Sequence, residues 1–567
     1  MSVVPEAHAT HIHPASAGLG LTKKQLVSDL GGGNDTQQCR QLFEIGSLGE
    51  SWAAKLGYLP EVVKLLDEPS AQIKCAALGA LGQMGEVAAP EGDKIANFLD
   101  DQDTAVVKAA ITALGLIGPH AAEHAPAVAQ FLTEPQVGLR TAAAEALGGM
   151  KASTYADELR EALKDAEASV VVAALKAVAA WEEDGQTLAA DVAACCAHAS
   201  GAVRAAAVRA LMKAGGAGER QAERVAELLP DCDNATLQAV VEYFESIGAS
   251  GKKATEKIRG NLSSGNGRVQ AASALALGYV KAGKFAKEVA ALLTAPYKGD
   301  TSVALSAAGL EPKLPADIRR PACAAAKALA MMGDEGAAFA DDIAKQIGGD
   351  TPAEATAEFV KALGLMGKPA LGHTDKIISL LQETSALVRE AACFAIGELA
   401  KAEETVDKAT AVTAKLMDVN PSVRKAAVTA IGAMQAEGNP RDILGMFGDK
   451  VPAVQVAAVK AMGAIGERGQ VFAAEVCRMA FDTELPVRVA AVTVLGDMDA
   501  RGATFAEDVS ALLDADDGAV REAALLALAK MGEEAKPFLA SIKPLCSDPL
   551  EYVRAAADEC HEALAAA

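Results

Sequence analysis

Apolar and polar positions follow one another along this chain on two nested scales. Over short stretches such as "LPEVVKLL" (59–66) and "AEDVSALL" (506–513), apolar residues fall at three- and four-residue steps, the spacing of one helix face. Over longer distances a whole block returns every 31 to 36 residues. Its copies include "DEPSAQIKCAALGALGQMG" (67–85), "DQDTAVVKAAITALGLIG" (101–118), "DVNPSVRKAAVTAIGAM" (418–434), "DTELPVRVAAVTVLGDM" (482–498) and "DADDGAVREAALLALAKMG" (514–532). The shared form is an apolar pair, an Asp, a short polar turn, Val-Arg/Lys-x-Ala-Ala, and then Ala-Leu/Ile-Gly. A period of this length marks stacked supersecondary units.

Each unit predicts two helices. Pro, Asp, Asn and Ser in the turn suit a tight loop and an N-cap for the second helix. Ala at i, i+3 and i+4 of that helix lets neighbours come close, and the Gly near its end suits a left-handed terminator. One such pair cannot bury its own apolar face, whereas stacked copies can. The position after the Val is Lys74, Lys108, Arg140, Val172, Arg204, Leu237, Gln270, Arg320, Thr356, Arg389, Arg424, Gln455, Arg488, Arg521 and Arg554. The step from Gln270 to Arg320 is 50 residues, the one break in the rhythm. A weaker copy, "DTQQCRQLFEIGSLG" (35–49), starts the array. The expected architecture is all-α: a right-handed α-solenoid of about 15–16 helical hairpins over residues 35–566. An irregular segment, 1–34, precedes it, and a loop insertion falls at about 297–314.

Composition agrees with this. Half the chain is hydrophobic but 4% is aromatic, so the core is built on small side chains. Runs of alternating β-formers are missing, which argues against sheets. The formal charge of −22 disfavours polyanions, hence nucleic acid and anionic membranes. The start, "MSVVPEAHATHIHPASAG", lacks the basic and apolar regions of a signal peptide. No uninterrupted apolar run reaches the ~18 residues of a membrane span. The ten cysteines contain no CxxC pair and read as reduced, mostly structural thiols of a cytoplasmic protein, with vicinal Cys195 and Cys196 the one place for redox or soft-metal chemistry.

The arrangement resembles the HEAT-repeat family, in particular the short regular HEAT-like repeats also found in phycobilisome lyases, over roughly residues 35–566. In that family the turn Asp and the helix Arg form a ladder along the inside of the solenoid. The resemblance therefore implies structural roles for Asp67, Lys74, Asp101, Lys108, Arg140, Arg204, Arg389, Asp418, Arg424, Asp482, Arg488, Asp514, Arg521, Asp548 and Arg554. Opposite charges six or seven residues apart across one turn can pair, as Asp418 with Arg424. Val172, Leu237 and Thr356 interrupt the ladder. The ankyrin Thr-Pro-Leu-His signature is absent, and the aromatic positions of tetratricopeptide repeats are not filled. Importin-alpha receptors need Trp and Asn arrays, and the larger importins usually have longer repeats and longer chains.

Catalytic sets are missing. His8, His11 and His13 stand in the N-terminal segment without acidic or thiol companions. His120 and His124 lie in a turn-like "GPHAAEHAPA". A single His-Glu, His561-Glu562, falls short of the repeated dipeptides of the di-iron hydroxylases among HEAT-repeat proteins. We therefore expect no catalytic residues, no metal and no cofactor. Charge is more informative: residues 200–330 hold 18 Lys/Arg and 12 Asp/Glu, a surplus of 18 − 12 = 6 in a chain of −22. This zone reads either as a solvated face or as a dock for an acidic partner protein. The candidate contacts are Lys252, Lys253, Lys257, Arg259, Lys298, Lys313, Arg319 and Arg320, with the insertion as the preferred place. The function implied is a non-enzymatic protein-binding scaffold or adaptor in the cytoplasm. It would serve as a structural component, of a cytoskeletal or ciliary assembly for example, or as a regulatory subunit; a bilin-lyase-like, chromophore-binding enzyme is the alternative.

Overall fold

The computed structural model describes residues 34–47, 57–294, 319–402, 406–435 and 439–566. The expected insertion, with Lys298 and Lys313, lies outside the described residues, as does the N-terminal segment before Asn34 with its three histidines. Among the described residues there are helices and no strands. The long second helices are α1 (Asp35–Ser47), α2 (Ala71–Gln83), α3 (Thr104–Ile117), α4 (Val137–Gly149), α5 (Ala168–Ala180), α6 (Gly201–Lys213), α7 (Asn234–Ile247) and α8 (Gly267–Tyr279). They continue as α9 (Pro321–Met331), α10 (Ala353–Met366), α11 (Ala386–Ala400), α12 (Pro421–Ala433), α13 (Pro452–Ala464), α14 (Leu485–Gly496), α15 (Gly518–Met531) and α16 (Glu551–Ala566).

The chain divides into two compact units. The first takes in Met1–Asp191, Asp516–Gly518 and Asp548–Glu551; the second takes in Val192–Ala515, Ala519–Ser547 and Tyr552–Ala567. In the first unit α1 to α5 pack in series, each on the next. In the second, α6 to α14 do the same. α8 and α9 pack directly on each other, although the chain between them is the one that breaks the period.

The second helices begin where the turn chemistry places them. Asp103, Asn266 and Asn420 cap α3, α8 and α12 by accepting a backbone N–H two residues on. Pro stands in the first turn of α9, α12, α13 and α14, where its missing N–H has no partner to lose. The terminators differ from expectation. Gly118 (φ 80°, ψ −145°) and Gly367 (φ 65°, ψ −128°) lie outside the left-handed helical well, in a region reserved for glycine. The first helices differ too. Instead of one helix, a unit has a 3-10 turn, a short α segment and a second 3-10 turn, as in Gly85–Glu91, Gly92–Ala96 and Asn97–Asp100. A Pro within or beside these segments, Pro90 or Pro126, withholds an N–H and favours the tighter winding.

Thr104–Thr133 is a helical stretch long and apolar enough to cross a membrane, but half its most apolar window is buried in the protein. It is broken at Gly118 into α3 and the segments that follow. It is a packed corner of the stack.

Close approach of consecutive second helices comes from one pairing. A Cβ built on Gly115 would lie 2.5 Å from the Cα of Ala146, one on Gly148 2.6 Å from that of Ala177, and one on Gly364 2.6 Å from that of Ala395. Gly397 meets Ala430 and Gly432 meets Ala461 in the same way. Each of these helices thus presses a glycine against an alanine of the next, and the backbones touch.

A second bond series ties several turns to the following one. Arg424 donates through Nη1 to the carbonyl of Asp418, 2.9 Å, in its own turn. Its Nε and Nη2 grip both carboxylate oxygens of Asp449 in the next turn, at 2.7 and 2.8 Å. Arg389 bonds the carbonyl of Glu383 and the carboxylate of Asp418 likewise, and Arg140 spans Glu134 and Asp165. Arg204 reaches Asp233 at 2.6 Å and Lys74 reaches Asp101 at 3.4 Å. The carboxylate in turn accepts a backbone N–H two residues on, from Asn420 at Asp418 and Val451 at Asp449. Pairing therefore runs between units, not within one, because the side chain at this position lies over its own turn's carbonyls and only its far edge is free. Gln455 and Gln270 brace the turn through a different carbonyl, two residues earlier, that of Phe447 and of Leu262. Arg488 and Arg521 bond the carbonyls of Asp482 and Ala515, and Asp482 and Asp548 accept from Glu484 and Leu550. Asp67 and Asp514 stand one residue earlier than the carboxylate position and are exposed; Lys108 is exposed as well. Arg554 is half-buried.

The hydrogen bonds from Arg389 hold the Asp418 carboxyl below its ordinary range, against the opposing effect of burial, and those from Arg424 do so for Asp449. Groups depressed in the folded state stabilise it fully above the ordinary Asp pKa, near about 4, and lose that contribution as pH falls through the folded value.

Two sets of variants test these constraints by urea unfolding. Gly364→Ala should destabilise by about 1–3 kcal/mol through overpacking, whereas Gly79→Ala, on an exposed helix position with no atom within 4 Å, should stabilise by about 0.5–1 kcal/mol. Arg424→Ala should destabilise by about 1–3 kcal/mol, with Arg424→Gln between it and the parent, since Gln455 shows that a Gln at this position still braces its turn. The combined Asp418→Asn and Asp449→Asn variant should show a flatter loss of stability on acidification below about pH 4.

Candidate functional site

Several candidate contacts of the expected central docking zone are paired with neighbouring carboxylates. Lys257 bonds Glu227 at 2.5 Å and lies 3.6 Å from Glu223. Arg259 pairs with Glu288 at 3.1 Å, and Lys284 with Glu256 at 2.8 Å. Arg319 and Arg320, expected as surface contacts, are turned inward with side chains 7% and 12% exposed, and both reach Glu354. A guanidinium entering the stack needs such a carboxylate to offset its desolvation. Lys252 and Lys253 remain exposed on the 3-10 segment Gly248–Ala254. Four of the eight candidate contacts, Lys257, Arg259, Arg319 and Arg320, are thus engaged in ion pairs with neighbouring repeats.

A different surface takes shape on the second helices of the second unit. The glycine–alanine contacts keep α11, α12 and α13 close, and the side chains that rise above the contact line form a groove. One part, about 300 Å³, lies between α11 and α12, with Phe394, Glu390, Lys425 and Thr429 on its walls. The adjoining part, about 590 Å³, lies between α12 and α13, with Lys425, Thr429, Pro452, Val456 and Lys460 on its walls and Pro486 at its far edge. Lys425, Thr429 and Ala433 belong to both. The floor is Gly397, Gly432, Ala430 and Ala461, small because of the backbone contact beneath. Phe394 is 37% exposed, large for an apolar ring.

This groove is absent from the expectations above. Its signal is a row five residues after the Arg position, namely Lys361, Phe394, Thr429, Lys460 and Thr493, each on a separate unit. Read one helix at a time, such residues look like a solvated face.

Chemistry-bearing side chains elsewhere are few. His120 Nε2 lies 3.7 Å from Glu86 and 3.6 Å from Glu551, and His124 Nε2 lies 3.9 Å from Asp93 and 3.8 Å from Glu123. Both clusters are wide enough for a cation. Neither brings a nucleophile beside a base. Burial pushes the thiols of Cys196 and Cys393 up to about 12, which keeps them protonated and unreactive at neutral pH. The vicinal pair is buried and reads as core.

Comparison with known proteins agrees with the fold. Residues 92–180 match the family model for HEAT repeats. No curated protein matches in sequence. The karyopherin Kap121p, solved bound to the extreme C-terminus of the protein phosphatase Cdc14p, superimposes with a TM-score of 0.55 at 11% identity, over 96% of this chain and 70% of that one. Importin beta, crystallised in an ammonium sulfate condition, gives 0.54 at 15% identity, over 96% and 84%. Kap95p with RanGDP gives 0.52 at 12%, over 96% and 81%. At these identities the likeness is one of fold.

Proposed function

From the premise that the chain is a HEAT-repeat α-solenoid, we propose that it is a non-enzymatic scaffold that binds other proteins along its second helices, as a subunit of a larger cytoplasmic assembly. The observation that carries this reading is the groove over α11 to α13: an open, largely apolar surface on a rigid stack, where a monomer would ordinarily keep exposed apolar area scattered. The fold supports the same reading. Several of its structural neighbours are held in complexes with polypeptides, Kap121p with Nup53p and with Ste12p among them. The clusters at His120 and His124 set an imidazole beside carboxylates and bring no nucleophile with it.

Affinity purification of the tagged full chain at its native expression level, followed by cross-linking, tests the proposal. We expect a stoichiometric partner protein cross-linked at lysines of α12 and α13, and a preparation without visible absorption. Recovery of the chain alone, or with a bound chromophore, would overturn it and favour the bilin-lyase-like reading.

A further inference from the structure

Lysines on the exposed faces of α10 to α15 fall into two groups. Lys361 is held by Glu358 at 3.1 Å, Lys401 by Glu398 at 2.6 Å and Lys530 by Asp497 at 2.7 Å. Lys425 and Lys460 are exposed and, among the described residues, have no ion-pair partner. These two flank the larger part of the groove, and no carboxylate lines it. The acidic residues of the smaller part, Glu390 and Glu398, lie at the Phe394 end, where Glu398 is engaged by Lys401. In a chain of −22, two unneutralised cations beside an apolar floor are a local reversal of sign.

We infer that the groove over α11, α12 and α13 holds a linear segment of a partner protein in which aliphatic side chains alternate with Asp or Glu. The inference rests on the scaffold reading and names the partner's chemistry. Helix axes packed about 9 Å apart make three helices span about 20 Å, the length of about six residues of extended chain. Small residues beneath let a backbone settle close, Phe394, Val456, Pro452 and Pro486 offer apolar contact, and Lys425 and Lys460 meet carboxylates at the rim. Complementary charges here set partner choice and association rate more than affinity. This gives the acidic partner expected from the sequence a candidate place on α11–α13, beside the one expected in residues 200–330.

A phage-displayed library of random 12-residue peptides panned on the full chain tests this, with selected peptides measured by fluorescence anisotropy. We expect acidic–aliphatic sequences. Their affinity should fall at least tenfold in Lys425→Glu/Lys460→Glu and return when the peptide's acids are exchanged for Lys. Both lysines are exposed, so an unchanged helical circular dichroism spectrum certifies the variant's fold. Selected peptides without acids, poly-glutamate binding as tightly as they do, or equal binding to parent and variant would overturn the inference. In the last case the scaffold reading survives with its surface elsewhere. If panning enriches nothing while a native partner still co-purifies, this inference falls alone; if neither binds, both fall.

Discussion

Backbone contact between consecutive second helices is the constraint from which the rest of this molecule follows. Where Gly364 meets Ala395, Gly397 meets Ala430 and Gly432 meets Ala461, there is no room for another methyl group. That contact sets the distance between units, and through it the reach that an Arg in one turn must have to grip an Asp in the next. A longer separation would leave Arg389 and Arg424 short of Asp418 and Asp449. Small residues at the seam also decide what lies above it. With nothing tall at the contact line, the neighbouring Phe394, Lys425, Thr429 and Lys460 become walls.

The two bond series divide the work of holding the stack. Apolar burial against Ala-rich faces supplies the driving force but little direction, since one alanine face resembles another. The bidentate Arg–Asp bridges carry direction, because a planar guanidinium satisfies a carboxylate and two carbonyls in one orientation. Gln455 and Gln270 show the minimal form, in which the turn is braced and the link to the next unit is omitted.

Much of this was legible beforehand. The period, the second helices, their caps and the coincidence of Asp with Arg are local patterns, and local patterns survive in one dimension. What escaped was anything decided between units. Asp418 precedes Arg424 by six residues and follows Arg389 by 29, and the structure pairs it with the distant one. Lys257 and Arg259 looked available until Glu227 and Glu288, one unit before and one after, came alongside. The groove was hidden for the same reason, since its walls come from three helices that each read as ordinary solvated surface. The broken first helices escaped differently: their apolar spacing fits an α-helix, and the 3-10 winding follows from prolines and tight corners that periodicity does not weigh.

The direct packing of α8 on α9 has a consequence for how this chain can vary. The two helices meet directly although 41 residues, 280–320, lie between their ends, more than between other consecutive second helices. Lengthening a loop whose ends are already fixed costs only logarithmically in its length. This is therefore a joint where sequence can be gained, lost or exchanged for a foreign module while the spacing of the neighbouring repeats stays as it is.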